Sequence, residues 1–312
     1  MADIVTFTIN PSIDMSTSVD RVASIKKLRG AAAHRDPGGG GINVARVAIR
    51  FGADVKALCA AGGVTGELLR RLIERDGIPN VVIHVSEETR ESFTVFENAT
   101  GYEYRFVLPG PQLREEEWRQ CLGALADPED NPRFVVASGS LSPGAPSDFY
   151  AHAARIARKR GAKFLLDTSG PPLASALEEG VFLIKPNLRE LRELMGVPLD
   201  DERAWVDACR RLTEAGRAEV VALTLGDRGA LLVVRDQAWR APALPIKPLS
   251  AVGAGDSFLG AMVWGLAQGR SIDDAFRYGV AAGSAALLSS GTGLCRRDDV
   301  ERLYPDVVLQ RI

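Results

Sequence analysis

The chain has 312 residues, 46% hydrophobic and 25% charged, with a formal net charge of -2 at pH 7. This is ordinary globular composition, long enough for a large core in one domain or two. The interspersed charges leave no footprint for nucleic acid or an anionic membrane surface, so any attraction for anions must be local.

The N-terminus MADIVTFTINPSID lacks a basic region followed by an apolar one, and no apolar run reaches the length of a membrane span. Cys59, Cys121, Cys209 and Cys295 are far apart and form no C-x-x-C pair, so neither a disulfide framework nor a zinc site is expected. A reducing cytoplasm fits that usage. His34, His84 and His152 have no partner at a diagnostic spacing, which disfavours histidine metal sites and Ser-His-Asp chemistry. Chemistry here must run on carboxylate, amide and cation.

From Val55 onward, the β-rich runs VKALCA, VVIHV, RFVVAS, KFLLDT, VFLIK and EVVALTL alternate with helical patterns such as Glu67 to Arg75 and Ser147 to Lys159. The alternation predicts one α/β domain over residues 1–312, built on a mostly parallel, doubly wound sheet. Two excursions break the rhythm, at about 12–36 and about 90–108. The second reads as strands SFTVFE and YEYRFV joined by a hairpin turn at Asn98-Ala99-Thr100-Gly101. A small antiparallel lid made from both excursions is expected, the alternative being an edge extension of the main sheet.

Two glycine-rich segments carry the chemistry. Pro37-Gly38-Gly39-Gly40-Gly41-Ile42-Asn43-Val44-Ala45-Arg46 runs four glycines into a helical pattern. Missing Cβ atoms let backbone approach a ligand, and the helix start offers free amides to an anion; a flexible loop is the plainer reading. In Val252-Gly253-Ala254-Gly255-Asp256-Ser257, an acid stands at a helix start behind a Gly-x-Gly turn whose amides can form an anion nest. Asp256 is either a helix cap or a base. Phosphoryl transfer explains the combination. The attacking hydroxyl needs a base, which Asp256 supplies, and the transferring group needs donors, which the Gly253 to Gly255 amides supply. No G-x-x-x-x-G-K-[ST] occurs, which excludes a P-loop kinase.

Lys185-Pro186-Asn187-Leu188-Arg189-Glu190 ends a strand and opens a helix, with Asn187 and Glu190 one turn apart and placed for a magnesium shell. Glu190 otherwise only complements the helix dipole. Thr224-Leu225-Gly226 at another strand end is a weak nucleotide-contact signal. Arg90 and Arg105 flank the hairpin, where they clamp a phosphate or stay solvated.

These residues resemble the PfkB branch of ribokinase-like sugar kinases along essentially the whole chain. The matching motifs are N-P-S-I-D at Asn10 to Asp14, P-G-G-G-G-I-N-V-A-R at Pro37 to Arg46, Y-R-F-V-L-P-G at Tyr104 to Gly110 and S-G-S-L-S-P-G at Ser138 to Gly144. K-P-N-x-x-E at Lys185 to Glu190, V-G-A-G-D-S at Val252 to Ser257 and G-V-A-A-G-S-A-A at Gly279 to Ala286 complete the set in family order. The resemblance implies a ribokinase-like fold: a central, mostly parallel β-sheet flanked by helices, with a β lid that pairs with the lid of a second subunit in a homodimer.

It further implies a sugar-phosphate site of Asp14, Gly38, Gly39, Asn43, Arg90 and Arg105 with a serine hydroxyl from Ser138 or Ser140, Ser140 being favoured. ATP is implied at Lys185, Asn187, Thr224, Gly226 and Gly283, with Lys27 of the lid segment reaching nucleotide phosphate. Magnesium is implied at Asn187 and Glu190 through water. Asp256 is implied as base, beside the anion hole of Gly253, Ala254 and Gly255. A monovalent cation such as potassium is implied at Ser250, Val252, Ala286, Ser289 and Gly291. Gly293 departs from the usual arginine, and Thr224 from the usual serine.

Within the family the likeness is to the minor bacterial 6-phosphofructokinases. Gly40 stands where kinases of fructose 1-phosphate and tagatose 6-phosphate carry lysine, and glycine is expected to leave open space there. The implied reaction is ATP-dependent phosphorylation of fructose 6-phosphate at its 1-hydroxyl. The alternatives are tagatose-6-phosphate kinase or 1-phosphofructokinase of the same family, a non-catalytic sugar-phosphate sensor, and a Rossmann oxidoreductase, against which the missing G-x-G-x-x-G argues.

Overall fold

Alternating apolar runs and amphipathic stretches give, in chain order, β1 (Ile4–Thr8), β2 (Ser12–Val19), β3 (His34–Gly38), α1 (Gly40–Arg50), β4 (Val55–Ala61), α2 (Gly63–Arg75), β5 (Asn80–His84), β6 (Arg90–Glu97) and β7 (Glu103–Val107). They continue as α3 (Glu115–Leu125), β8 (Phe134–Ser138), α4 (Phe149–Lys159), β9 (Lys163–Asp167), α5 (Gly170–Glu178), β10 (Val181–Ile184), α6 (Leu188–Met195), α7 (Glu202–Glu214) and β11 (Ala218–Thr224). The chain closes with β12 (Ala230–Val234), β13 (Gln237–Ala241), α8 (Ala254–Ala267), α9 (Ile272–Ala286), α10 (Arg297–Leu303) and β14 (Gln310–Arg311). The structure, a computed structural model, describes residues 2–127, 131–289 and 291–312.

The main sheet has 10 strands in the order β14-β13-β12-β11-β10-β9-β8-β1-β4-β5. From β5 through β11 every pairing is parallel, and β12, β13 and β14 add an antiparallel edge. Strand alternation sends successive side chains to opposite faces. Ile4, Ala57, Val136, Leu165 and Leu183 join a core under α1, α8 and α9, while Val5, Phe7, Val135, Leu166 and Ile184 join a second core under α3, α4 and α7. Burial on both faces is why the central strands read as continuous apolar runs.

Strand β1 is the switch point, with β4 and β5 on one side and β8 onward on the other. Open α/β sheets form a crevice outside the carboxyl ends of the strands at such a point. Over it stands a second sheet of four strands, ordered β3-β2-β6-β7. It is mixed rather than antiparallel as expected: β2 and β6 run parallel, with Asp14 beside Ser92. The reason is topological. β2 leaves β1 and β6 follows β5, strands that point the same way, so both excursions leave the main sheet in one direction.

Among the described residues no helix is long and apolar enough to cross a membrane, and all four cysteines are free and buried.

Candidate active site

A cleft of ≈ 320 Å³ opens at the carboxyl ends of β8 and β9, beneath the small sheet. Its lining includes Asp14, Gly39, Asn43, Arg90, Arg105, Ser138, Ser140, Glu190 and Asp256 of the expected set. Gly38 lies beside it at the end of β3, where a Cβ would come within 2.3 Å of the Asp14 carboxyl carbon. Ser12 Oγ donates to Asp14 Oδ1 at 2.6 Å. Burial raises the Asp14 pKa even though Ser12, Arg105 and Arg90 oppose it.

Gly40 is not the open position expected from the sequence. A Cβ there would fall 2.1 Å from Ser138 Oγ and 3.0 Å from the Ser138 carbonyl carbon, because the start of α1 presses on the end of β8. Glycine is required for that contact.

At the opposite wall, Gly253 caps α8 with φ 74°, a left-handed turn that glycine adopts without strain. Asp256 is the third residue of the helix, an acid in its first turn. Its carboxylate accepts from Asn43 Nδ2 at 2.9 Å. Burial, reinforced by the charge of Asp167, pushes the Asp256 pKa up to about 6 against the pull of Asn43 and Lys185. The first-turn amides of α8 have no intrahelical acceptor and carry the positive end of the helix dipole; that of Ala254 makes a long bond of 3.4 Å to Ala251 O, ahead of the helix.

Lys185, just past β10, pairs with Asp167 at 3.2 Å and would touch a Cβ on Gly255 at 3.2 Å. Burial pulls its ammonium down, but Asp167, Asp256 and Glu190 outweigh that and hold its pKa above the ordinary lysine value. Further along the same sheet edge, Thr224 bridges to Asn187 and Gly226 takes φ 62°. Gly283, on α9, packs against the start of α8, where a Cβ would meet Ala254 O at 3.4 Å.

Asn187 and Glu190 form a reciprocal capping box on α6. Asn187 Oδ1 accepts from Glu190 N at 3.0 Å, and Glu190 Oε2 accepts from Asn187 N at 2.9 Å. Asn187 spends its acceptor on the cap, and the second Glu190 oxygen, Oε1, lies 3.6 Å from the Arg189 guanidinium. No cluster of three or more His, Cys, Asp and Glu among the described residues is arranged to hold a metal.

Arg90 donates to the carbonyls of Leu108 and Asn10 at 3.2 and 3.1 Å, while its Nε is buried without a partner. Burial lowers the Arg90 pKa against the opposing charge of Asp14, and the like charge of Arg105 adds to the lowering. Among the described residues neither arginine forms an ion pair. The two cations face one cleft without a neutralising carboxylate in contact.

The expected cation loops also meet. Ser250 Oγ lies 3.4 Å from Gly291 O, and Val252 N donates to Ser250 Oγ at 3.2 Å. Ser289 N donates to Ala286 O at 3.0 Å. These are hard oxygen donors of the kind an alkali cation takes, though Ser250 Oγ also donates to Glu103 Oε2 at 2.9 Å. Lys27 is exposed in the segment between β2 and β3, outside the cleft lining.

The family model for the pfkB family carbohydrate kinase matches residues 3–299. This chain belongs to the PfkB family. It is 47% identical over 301 residues to the ATP-dependent 6-phosphofructokinase isozyme 2 of Mycobacterium tuberculosis H37Rv, covering 96% of this chain and 88% of that protein. It is 31% identical over 309 residues to the 1-phosphofructokinase of Bacillus subtilis, covering 99% of this chain and 100% of the other. Phosphofructokinase-2 from Escherichia coli in complex with fructose-6-phosphate superimposes with a TM-score of 0.92 at 37% identity, over 98% of this chain and 99% of that one. The same Escherichia coli protein in complex with potassium gives 0.93 at 38% identity, with the same coverage.

Reading the PfkB chain by sequence missed Asp167. Its carboxylate closes the cleft floor between Lys185 and Ser138 Oγ, the latter at 3.4 Å. The available signal was the acid that ends KFLLD, placed at a strand end as Lys185 and Thr224 nearly are. Ser12 was missed for want of any signal beyond its alternation with Asp14.

Proposed function

We propose that this chain transfers the terminal phosphoryl group of ATP to the 1-hydroxyl of fructose 6-phosphate, giving fructose 1,6-bisphosphate and ADP. One observation carries the reading. A carboxylate with pKa about 6 stands at a helix start, and the same cleft holds two arginines, Arg90 and Arg105, on the side of the small sheet. A base poised just below neutral suits a hydroxyl acceptor, and a pair of arginines in one cleft suits a phosphate that the acceptor already carries. The 47% identity to a 6-phosphofructokinase against 31% to a 1-phosphofructokinase supports the same acceptor.

In this reading Arg90 and Arg105 bind the 6-phosphate, Asp14 and Asn43 accept and donate to sugar hydroxyls, and a Ser138 or Ser140 hydroxyl completes the pocket. Gly38 and Gly39 let the backbone close on the sugar. Asp256 takes the proton of the attacking hydroxyl. The amides of Gly253, Ala254 and Gly255 and the ammonium of Lys185 stabilise charge on the equatorial oxygens as the phosphoryl group moves. Thr224, Gly226, Gly283 and Asn187 form the nucleotide side, and Glu190 orients water on magnesium. When bound, ATP with magnesium supplies the phosphoryl group, and potassium at the Ser250 and Gly291 oxygens would steady the α8 turn. The lysine of the long lid segment, Lys27, reaches nucleotide phosphate only if that segment folds inward.

The outer face of the small sheet supports a homodimer. Met15, Phe93 and Phe106 line up across β2, β6 and β7, and Phe106 is 55% exposed. A partner's sheet would cover this apolar row. A coupled ADP-release assay with fructose 6-phosphate, fructose 1-phosphate, tagatose 6-phosphate and free fructose tests the substrate assignment. Highest kcat/KM on fructose 6-phosphate is expected, and a higher value on either rival phosphate overturns it.

A further inference from the structure

Beneath the cleft, outside every residue assigned above except Asn43 and Asp256, lies a buried ionic cluster centred on Arg46. Arg46 follows Asn43 by one turn of α1 and is 5% exposed. Its Nη2 donates to Asp36 Oδ1 at 2.9 Å, its Nε to Asp76 Oδ2 at 2.8 Å, and its Nη1 to Asn43 Oδ1 at 3.3 Å and Pro37 O at 3.5 Å. Asp36, on β3 of the small sheet, also accepts from Thr292 Oγ1 at 2.6 Å. His34 and Arg75 face Asp36 at 3.2 and 3.6 Å, and Arg50 lies close enough for its charge to be felt.

We propose that Arg46 is a positioning residue for the reaction, fixing the Asn43 amide so that its NH₂ faces Asp256, and tying that pair to β3 and to the Thr292 loop. The inference rests on the reading of Asp256 as the base. Its chemistry is that of an amide with one donor end and one acceptor end of nearly equal shape. With Oδ1 held by Arg46, Asn43 Nδ2 points at Asp256 Oδ2, 2.9 Å away. Turned over, the amide would aim a lone pair at a carboxylate. The Arg46 guanidinium has five donors in one plane and spends them on two carboxylates as well as on Asn43. It is held from two sides, by Asp36 from the small sheet and Asp76 from the end of α2, which fixes the guanidinium plane and hence the donor aimed at Asn43.

The groups that face Asp256 set its proton affinity. Asp167 at the end of β9 and Asp14 on β2 disfavour its ionised form, while Lys185 and Asn43 favour it. Freeing Asn43 therefore leaves Lys185 as the counterweight, and Asp256 ionises at higher pH. Losing one such hydrogen bond is worth about one pH unit. Near pH 6 the ionised fraction then falls from about one half to about one tenth, a fivefold drop in kcat, with a smaller change on the alkaline plateau.

The test is Arg46→Lys, which keeps the charge but cannot hold three acceptors in one plane. Two readouts are taken: kcat and both KM values for fructose 6-phosphate and ATP across pH, and carbon-13 NMR titration of the aspartate carboxyls in the substrate-free protein. The expected result is an upward move of about half to one pH unit in the acid limb and in the Asp256 titration, with the KM for ATP unchanged. In an Asn43→Ala background the same substitution should move neither. An unchanged acid limb and titration in a folded Arg46→Lys protein overturn the proposal, as does an equal shift in the Asn43→Ala background. If Arg46→Lys does not fold, Asp36→Asn should shift both readouts the same way by a smaller amount, and no shift there overturns it. A titration that moves in a protein without kinase activity would sustain the positioning role and remove the functional reading instead.

Discussion

Replacing Asp256 by asparagine should weaken the enzyme and strengthen the fold. The carboxylate titrates near 6 rather than at its ordinary value of 3.8, chiefly because it is buried and next because Asp167 lies close. A folded-state pKa above the unfolded one means that the native protein binds this proton more tightly. Below about pH 4 both states carry it and no penalty exists. Between about 4 and 6 the unfolded chain releases it first, so native stability falls as pH rises, and above 6 the penalty is complete. Two pH units correspond to about 3 kcal/mol, and solvent reaching the cleft lowers this to about 1–3 kcal/mol.

Asparagine has the same shape, can still accept from Asn43, and carries no charge to desolvate. Asp256→Asn should therefore raise Tm by a few degrees at pH 8 and leave it nearly unchanged at pH 4. Over the same change kcat should fall by about 10²–10⁴, the usual effect of losing a general base. Thermal unfolding at the two pH values and ADP release at saturating substrate measure both. A normal kcat would refute the base assignment, and a lower Tm at pH 8 would refute the desolvation argument.

Arg90→Ala or Arg105→Ala should raise the KM for the sugar phosphate, each by about 1.5–3 kcal/mol of lost charge-assisted bonding, with less change in the KM for ATP; unchanged acceptor kinetics in both would return them to the surface. Gly40→Ala should destabilise the fold by about 1–3 kcal/mol through its collision with Ser138, and Ser138→Ala should recover part of that loss; additive denaturation midpoints would refute the contact. Phe106→Asp should convert a dimer to monomer in light scattering, since it puts a charge on the apolar row of the small sheet; a monomeric parent protein at assay concentration would contradict the shared-sheet reading.

The parallel sheet was legible because strands buried on both faces must be apolar throughout, as in FVVAS and VFLI. The edge strand β14 was not, since it is only Gln310–Arg311 and carries no apolar pattern; β12, ALLVV, has the apolar run of a buried strand, but such a run does not tell its direction. Glycine turns announced the α8 start, where φ 74° demands the residue. The same logic misread Gly40, whose lack of a side chain serves contact with Ser138 rather than free space. For Glu190 the sequence offered a magnesium shell or a helix-dipole carboxylate, and the structure adds a reciprocal capping box with Asn187 that neither reading named. Asp167 and Asp36 were silent because their partners lie on other elements, such as Thr292 for Asp36, a separation of 256 residues.

The central claim is that this cleft moves a phosphoryl group from ATP to the 1-oxygen of fructose 6-phosphate. Phosphorus-31 NMR of the protein incubated with ATP, magnesium, potassium and fructose 6-phosphate tests it without coupling enzymes. ADP and a bisphosphate with signals at both C1 and C6 should accumulate in equal amounts, and Asp256→Asn should abolish both on the same timescale. ADP without a sugar bisphosphate, or no turnover with fructose 6-phosphate while fructose 1-phosphate is consumed, would contradict it.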